Sequence, residues 1–213
     1  LIERVLRILD RKNLSKIVIV VGYRGQQLID YIATLNIQTP IVYVNNEIYD
    51  KTNNIYSLAL AGDYLCAEDT LLFESDLNFE EAGVDALLED PRETLALVDK
   101  FESWMDGTCT VLDEEDCIVD FVPGKYLKFM DREQYYKTVN IYKFSKEFSA
   151  SHYVPFLEAY CKALGNNEYY EQVLKVITFL DKPEIKAERL ENESWYEVDD
   201  VQDLDIAESI FAE

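Results

Sequence analysis

Histidine is almost absent from this chain: His152 stands alone in 213 residues. A His-rich zinc site and an HExxH helix are thereby excluded, and a Ser–His–Asp system would have to rest on that one imidazole. His152 reads as an ordinary helix-face residue. Glycine is scarce too, at seven, and the chain holds neither a GxGxxG turn nor a Walker A sequence, so no phosphate cradle of either kind is visible. The four cysteines, Cys66, Cys109, Cys117 and Cys161, form no CxxC pair. They fall in segments that read as strand or helix, as reduced core thiols do, which suits a cytoplasmic protein. No run of about 18 apolar residues exists, so no membrane-spanning helix is expected. The opening LIERVLRILDRKN is an amphipathic, charged helix without the apolar centre and small-residue cleavage site of a signal peptide.

Positive charge is also short. Twenty Lys and Arg face 42 Asp and Glu, a net charge of −22. Nucleic acid and anionic membranes are poor partners for such a chain, since affinity for both comes largely from basic residues. A nucleotide can still bind where a metal and a few local cations offset its phosphates, and a cationic ligand is favoured by the overall field. Carboxylates, lysines and a hard metal ion are what remain for catalysis.

What is present is an α/β alternation. The 48% hydrophobic content suffices for one substantial core. KIVIVVGY (16–23) is a continuous apolar, β-branched run and predicts a strand buried on both faces of a parallel sheet. RGQQLIDYIATL (24–35) predicts an amphipathic helix and PIVYVNN (40–46) a strand. Thr52 or Asn53 can cap the helix NNIYSLALAGDYL (53–65). DTLLFESDLNF (69–79) predicts a strand, EEAGVDALLED (80–90) a helix and ETLALVDKF (93–101) a strand. This is the signature of a helix-covered, mostly parallel sheet. A mixed half follows: two strands about a DEED turn (108–122), a strand YYKTVNIYKF (135–144), helices over 146–164 and 168–182, short strands EIKAERL and SWYEVD, and a closing helix from Val201. One domain over 1–213 is expected, with nucleotide binding in 1–100 and acceptor binding in 101–213.

Three places could carry chemistry. In LLFESDLNF the apolar residues enter the sheet, and Glu74, Ser75 and Asp76 arrive at the strand's carboxyl end, where open α/β sheets bind ligands. A carboxylate there can hold Mg²⁺ on a polyphosphate, although a solvated loop acid has the same spacing. In SWYEVDDVQDLD, Glu197 and Asp199 share a strand face and Asp200 can cap the last helix; a metal ligand and a capping box are both open readings. In NNEIYDKTNNIYSLALA, Asn and Ser side chains can read a base edge or simply turn and cap the chain.

Taken in order, these segments resemble the sugar-phosphate nucleotidyltransferase superfamily, and within it the bacterial CTP:phosphocholine cytidylyltransferases. LIERVLRILDRKNLSKIVIVVGYRGQQL resembles that family's first helix, second strand and VGY turn. NNIYSL resembles its base-recognition core, LLFESDLNF the strand ending in the first metal aspartate, and YEVD its C-terminal acidic motif. The resemblance implies a Rossmann-like, three-layer, GT-A-like α/β fold with a mixed, mainly parallel central sheet. It implies transfer of CMP from CTP to phosphocholine or a similar small phosphate or phosphonate, with release of pyrophosphate and with Mg²⁺ held by Asp76 and Asp199. Nucleotide contacts are implied at Gly22, Tyr23, Asn53, Asn54, Ser57 and Ser75. Lys100 and Lys137 are candidates to compensate phosphate charge, Lys100 in a catalytic role and Lys137 beside the acceptor. Tyr169, Tyr170 and Glu171 match an aromatic pair followed by an acid that binds the acceptor; Trp104, Trp195 and Glu197 are further acceptor candidates, since aromatics can cage a quaternary ammonium.

One departure is serious. That family opens with a strand and a Gly-rich loop, roughly GxGxRxxPxTxxxPK, ahead of the helix that matches LIE. The loop's arginine and lysine have no counterpart in this sequence. Without the loop the chain is expected to bind nucleotide poorly and not to turn over. Some relatives with this ending continue into a PLP-dependent aminotransferase domain, so the chain is also readable as the N-terminal domain of such a fusion; a homodimer is another open partner. Two other readings stand beside the first: a sugar-1-phosphate or polyol-phosphate nucleotidyltransferase, and a non-catalytic nucleotide-binding or regulatory domain.

Overall fold

A computed structural model describes residues 1–180 and 185–212; the last two positions of the helix expected over 168–182 and the final residue lie outside them. Helix α1 (Ile2–Asp10) buries Val5, Leu6, Ile8 and Leu9 on one stripe. Strand β1 (Ile17–Val21), helix α2 (Gly25–Ala33) and strand β2 (Ile41–Asn45) follow, with β1 and β2 parallel. The helix expected over 53–65 is two pieces, α3 (Asn54–Leu60) and α4 (Gly62–Leu65), separated at Ala61. The strand expected over 69–79 is likewise two, β3 (Thr70–Phe73) and β4 (Leu77–Phe79), because Glu74, Ser75 and Asp76 leave the ladder between them.

Helix α5 (Glu81–Glu89) leads to β5 (Leu95–Lys100), the hairpin β6 (Cys109–Leu112) and β7 (Ile118–Val122), and the long β8 (Tyr135–Phe144). A short α6 (Lys146–Phe148) and a π-turn run into α7 (Val154–Leu164), then α8 (Glu171–Thr178), β9 (Lys186–Arg189), β10 (Trp195–Glu197) and α9 (Val201–Ile210). Strand β8 organises the six-stranded sheet. Strand β5 pairs along one side of it, while β3 and β6 share the other side end to end. All three run antiparallel to β8, and β9 runs parallel to β5. The sheet is therefore mixed, with β3, β5, β6 and β9 pointing one way against β7 and β8.

Period-two alternation splits the core into two layers. Leu95 and Leu97 of β5, with Val139 and Ile141 of β8, pack against α1 and α5 through Leu6, Val84 and Leu87. Ala96 and Val98, with Tyr142 and Phe144, pack against α3, α7 and α8 through Ile55, Leu157, Val173 and Leu174. Helices thus cover both faces, which is the three-layer α/β architecture. Strand β8 is not regular. Between the pairs Ala96–Tyr142 and Val98–Thr138, β5 advances by two residues and β8 by four. This bulge contains Asn140, at φ +59°.

One expectation needs correcting. Strand β1 is not buried on both faces: Ile17 and Val21 are buried, but Val18, Ile19 and Val20 are half-exposed. One edge of β1 pairs with β2, and the side toward β3 opens on a cavity of about 750 Å³, lined by α1, β1, β3 and residues of α3 and α4. The cysteines are also less uniform than expected. All four are free thiols, yet only Cys109 is fully buried. Burial pushes its thiol up to about 12. Cys109 is therefore expected to stay inert to a thiol-specific chromogenic reagent in the native protein at pH 8 and to react on denaturation; rapid labelling of Cys109 in the native state would contradict this packing.

Candidate active site

The acidic segment after β3 meets the acidic segment after β10 through one short ladder. Strands β4 and β10 are antiparallel, with Leu77 opposite Glu197. One step further, Val198 N–H donates to the Asp76 carbonyl at 2.9 Å. Asp76 and Asp199, more than half the chain apart, are thus carried to the same end of the fold. The Asp76 carboxyl is pushed up by burial first and by the charge of Asp199 as well. Its Oδ1 is buried and has no hydrogen-bond partner.

Behind this pair lies a set of acids, Glu171 buried and Glu74 and Glu197 half-buried. Glu74 accepts from Asn54 Nδ2 through Oε1 at 3.1 Å and from Asn140 Nδ2 through Oε2 at 3.0 Å. Burial, with Glu171 and Asp76 nearby, pushes it up to about 8. Glu197 accepts from the same Asn140 amide at 2.6 Å. Burial raises Glu197, and the ammonium of Lys137 opposes that rise. Glu171 opens α8 and is 5% exposed; its carboxyl too is raised by burial. Lys137, 1% exposed, donates to the Thr138 carbonyl at 2.7 Å, pairs with Glu197 Oε2 at 3.3 Å and sits 5.5 Å from the Trp195 ring centre. Asp76, Glu171 and Glu197 thus lie around one lysine, with Glu74 beside them and Asp199 at the exposed edge.

Aromatic rings flank the cluster. Trp104 stacks on Tyr196 at 5.6 Å and 8°, and lies 6.3 Å from Trp195. Trp195 is fixed by donation from Nε1 to Asp99 Oδ2 at 2.8 Å. Trp104 keeps 54% of its surface exposed.

Of the residues singled out from sequence, Asp76, Lys137, Tyr170, Glu171, Glu197 and Asp199 come together. Asn54 reaches them from α3, but its amide is committed: Oδ1 accepts from Tyr170 N–H at 3.0 Å while Nδ2 holds Glu74. Asn53 caps α3. Ser57 accepts from Asn46 Nδ2 at 3.3 Å. These three, with Ser75 and Tyr169, line the polar end of the large cavity, whose other end is the apolar cleft beside β1. Gly22 and Tyr23 close β1 elsewhere: a Cβ on Gly22 would lie 2.6 Å from Cβ of Tyr49, so the glycine permits that contact. Lys100 is not brought to the cluster. It donates to the Glu133 carbonyl at 2.5 Å and lies 4.4 Å from the Tyr136 ring centre, on the opposite face of the sheet from its neighbour Asp99. Asp200 caps α9 in a capping box with Asp203, one of the two readings left open for that segment.

Sequence reasoning missed Asn140, and took Asn46 only as part of an Asn-rich segment. Asn46 is 3% exposed and ties the β2 end to Thr52 and Ser57. Asn140 had a visible signal: a polar amide in the middle of an apolar strand. Among the described residues no group of three acidic, His or Cys side chains is arranged to hold a metal unaided. Two carboxylates, one with an unpartnered buried oxygen, suit a hard cation that takes its other ligands from phosphate and water.

With this geometry in view, the fold can be assigned: it is the nucleotidyltransferase α/β fold. The CTP:phosphocholine cytidylyltransferase of Streptococcus pneumoniae superposes with a TM-score of 0.75 at 22% identity, over 98% of this chain and 84% of that one. The inositol-1-phosphate CTP transferase of T. maritima superposes with a TM-score of 0.73 at 20% identity, over 97% and 79%. The CMP-5'-(3-aminopropyl)phosphonate synthase of Streptomyces rubellomurinus is 25% identical over 192 residues, 90% of this chain; the chain spans 30% of that protein's length. No protein-family model matches the chain. No helix among the described residues is long and apolar enough to cross a membrane.

The buried pairing of Lys137 carries a stability consequence. Lys137→Met should destabilise the fold by about 3 kcal/mol, because Glu197 would keep its burial and lose its cation. Urea denaturation checks this, and an unchanged midpoint would mean that Glu197 finds solvent once the lysine is gone.

Proposed function

We propose that this chain is the nucleotidyltransferase domain of an Mg²⁺-dependent cytidylyltransferase. It transfers CMP from CTP to a small acceptor bearing a phosphate or phosphonate and a cationic nitrogen, phosphocholine first among them, and releases pyrophosphate. The observation that carries the reading is the convergence of Asp76 and Asp199 across the β4–β10 ladder, with Asp76 Oδ1 buried and unpartnered.

The chemistry is an in-line displacement: an acceptor oxygen attacks the α-phosphorus of CTP and pyrophosphate leaves. When bound, Mg²⁺ supplies neutralisation and alignment of the phosphate oxygens. Asp76 and Asp199 would hold it. Lys137 offers the one buried ammonium of the cluster to an acceptor phosphate, and no covalent intermediate on a side chain is required. The acids Glu74, Glu171 and Glu197 outnumber Lys137, and Trp104, Trp195 and Tyr196 form an aromatic wall beside them. A cationic acceptor satisfies both features, through Coulomb attraction and cation–π contact. The likeness to a cytidylyltransferase for phosphocholine and to a synthase for an aminopropylphosphonate supports the same class. A fused PLP-dependent aminotransferase domain, which the family resemblance implies, belongs to the proposal as well.

Pyrophosphate release by the full-length protein tests this, with CTP, Mg²⁺ and a panel of phosphocholine, 2-aminoethylphosphonate, inositol 1-phosphate and glucose 1-phosphate. A cationic acceptor should be fastest, and Asp76→Asn and Asp199→Asn should each lose about 100-fold or more in kcat. Preference for an uncharged polyol or sugar phosphate would overturn the acceptor assignment. Absence of release with the whole panel would favour a nucleotide-binding or regulatory domain.

A further inference from the structure

Asn140 is the most constrained residue near the acidic cluster, and neither the family likeness nor the sequence assigns it a role. Five non-glycine residues among those described have φ between +51° and +60°, and Asn140 alone of them lies within a strand. It is 5% exposed and sits in the β8 bulge. In a regular strand its side chain would join the face of Tyr142 and Phe144, against α3 and α7. In the bulge its amide meets the acids, which lie on that same side near Tyr142 and Tyr170. Such an outlier persists only where the surroundings hold it in place.

Every polar atom of its amide is engaged. Nδ2 donates to Glu74 Oε2 at 3.0 Å and to Glu197 Oε1 at 2.6 Å, and Oδ1 accepts from Thr138 Oγ1 at 2.8 Å. The Asn140 carbonyl also accepts from Glu74 N–H at 3.3 Å. Glu74 lies two residues before Asp76, and Glu197 two before Asp199. A single NH₂ with two donors therefore bridges two acid side chains, one on each of the segments that carry the converging aspartates.

We propose that Asn140 is a positioning residue, whose amide sets the spacing of the two acidic segments and hence the reach of Asp76 and Asp199 toward a common cation. The inference rests on the nucleotidyltransferase reading for its link to turnover, and on the geometry alone for its link to cation binding.

The test uses the full-length protein with two substitutions. Asn140→Gly keeps the left-handed backbone without strain and removes the amide. Asn140→Asp keeps the side-chain shape and places a third carboxylate between Glu74 and Glu197. Three readouts are taken: Mn²⁺ affinity by electron paramagnetic resonance, kcat and KM for CTP in the pyrophosphate assay, and the melting temperature. Asn140→Gly should weaken Mn²⁺ binding and lower kcat by about 10- to 100-fold each while melting within a few degrees of the parent. Asn140→Asp should lose more of both. Mn²⁺ affinity and kcat within twofold of the parent in both variants would overturn the proposal. So would a large fall in melting temperature with an unchanged kcat and Mn²⁺ affinity for the folded fraction, since that is a purely structural role, and so would a parent protein that binds no Mn²⁺. If the parent releases no pyrophosphate but Asn140→Gly still weakens Mn²⁺, positioning stands and the transferase reading falls.

Discussion

Carboxylates gathered at the inner end of a sheet repel one another and resist desolvation, and a fold that gathers them must supply donors from several directions at once. Here the donors are two asparagine amides and one lysine. Asn54 comes from α3, Asn140 from β8 and Lys137 from the same strand three residues earlier. Each holds an acid and also a backbone group or another side chain: the start of α8, the Thr138 hydroxyl and the Thr138 carbonyl respectively. Glu74 and Glu197 each draw on two of these donors, so the positions of α3, α8 and β10 are all tied to this cluster.

The sheet makes that convergence possible. Strand β8 accepts β3 and β6 on one side and β5 on the other, which places the carboxyl end of β3 beside the middle of β8. The bulge at Asn140 falls at the same level. An extra pair of residues and one left-handed backbone coincide there with the amide that bridges Glu74 and Glu197. Local irregularity in the strand is thus coupled to the geometry of the acids.

Charge explains why the site suits the rest of the molecule. A chain at −22 attracts cations over its whole surface, and the cluster concentrates that tendency beside a wall of aromatic rings. Polyphosphate must then bring its own counter-cation, and Lys137 alone is a modest local offset. Both parts of the proposal, a divalent cation for the nucleotide and a positive group on the acceptor, draw on this one electrostatic fact.

The α/β class and nearly every element were legible in the chain, because strand runs, helix periodicity and caps are local; Asp76, Glu197 and Asp199 stood out as acids beside strands, with their role left open. The capping box at Asp200 is local for the same reason, requiring only Asp203 three residues on. What the sequence left open was decided by pairing between distant segments. Lys100 and Lys137 look equivalent as residues at the ends of apolar strands, yet β5–β8 register sends one to the Tyr136 ring and the other into the acids. Asn54 reads as a base-contacting residue until α8 and Glu74 are seen to occupy its amide. The apolar run of β1 promises burial on both faces, but burial depends on what lies alongside, and the cavity toward β3 is a property of the assembled layers. Composition and periodicity determine which segments form; only tertiary contact determines which polar groups are left to meet one another.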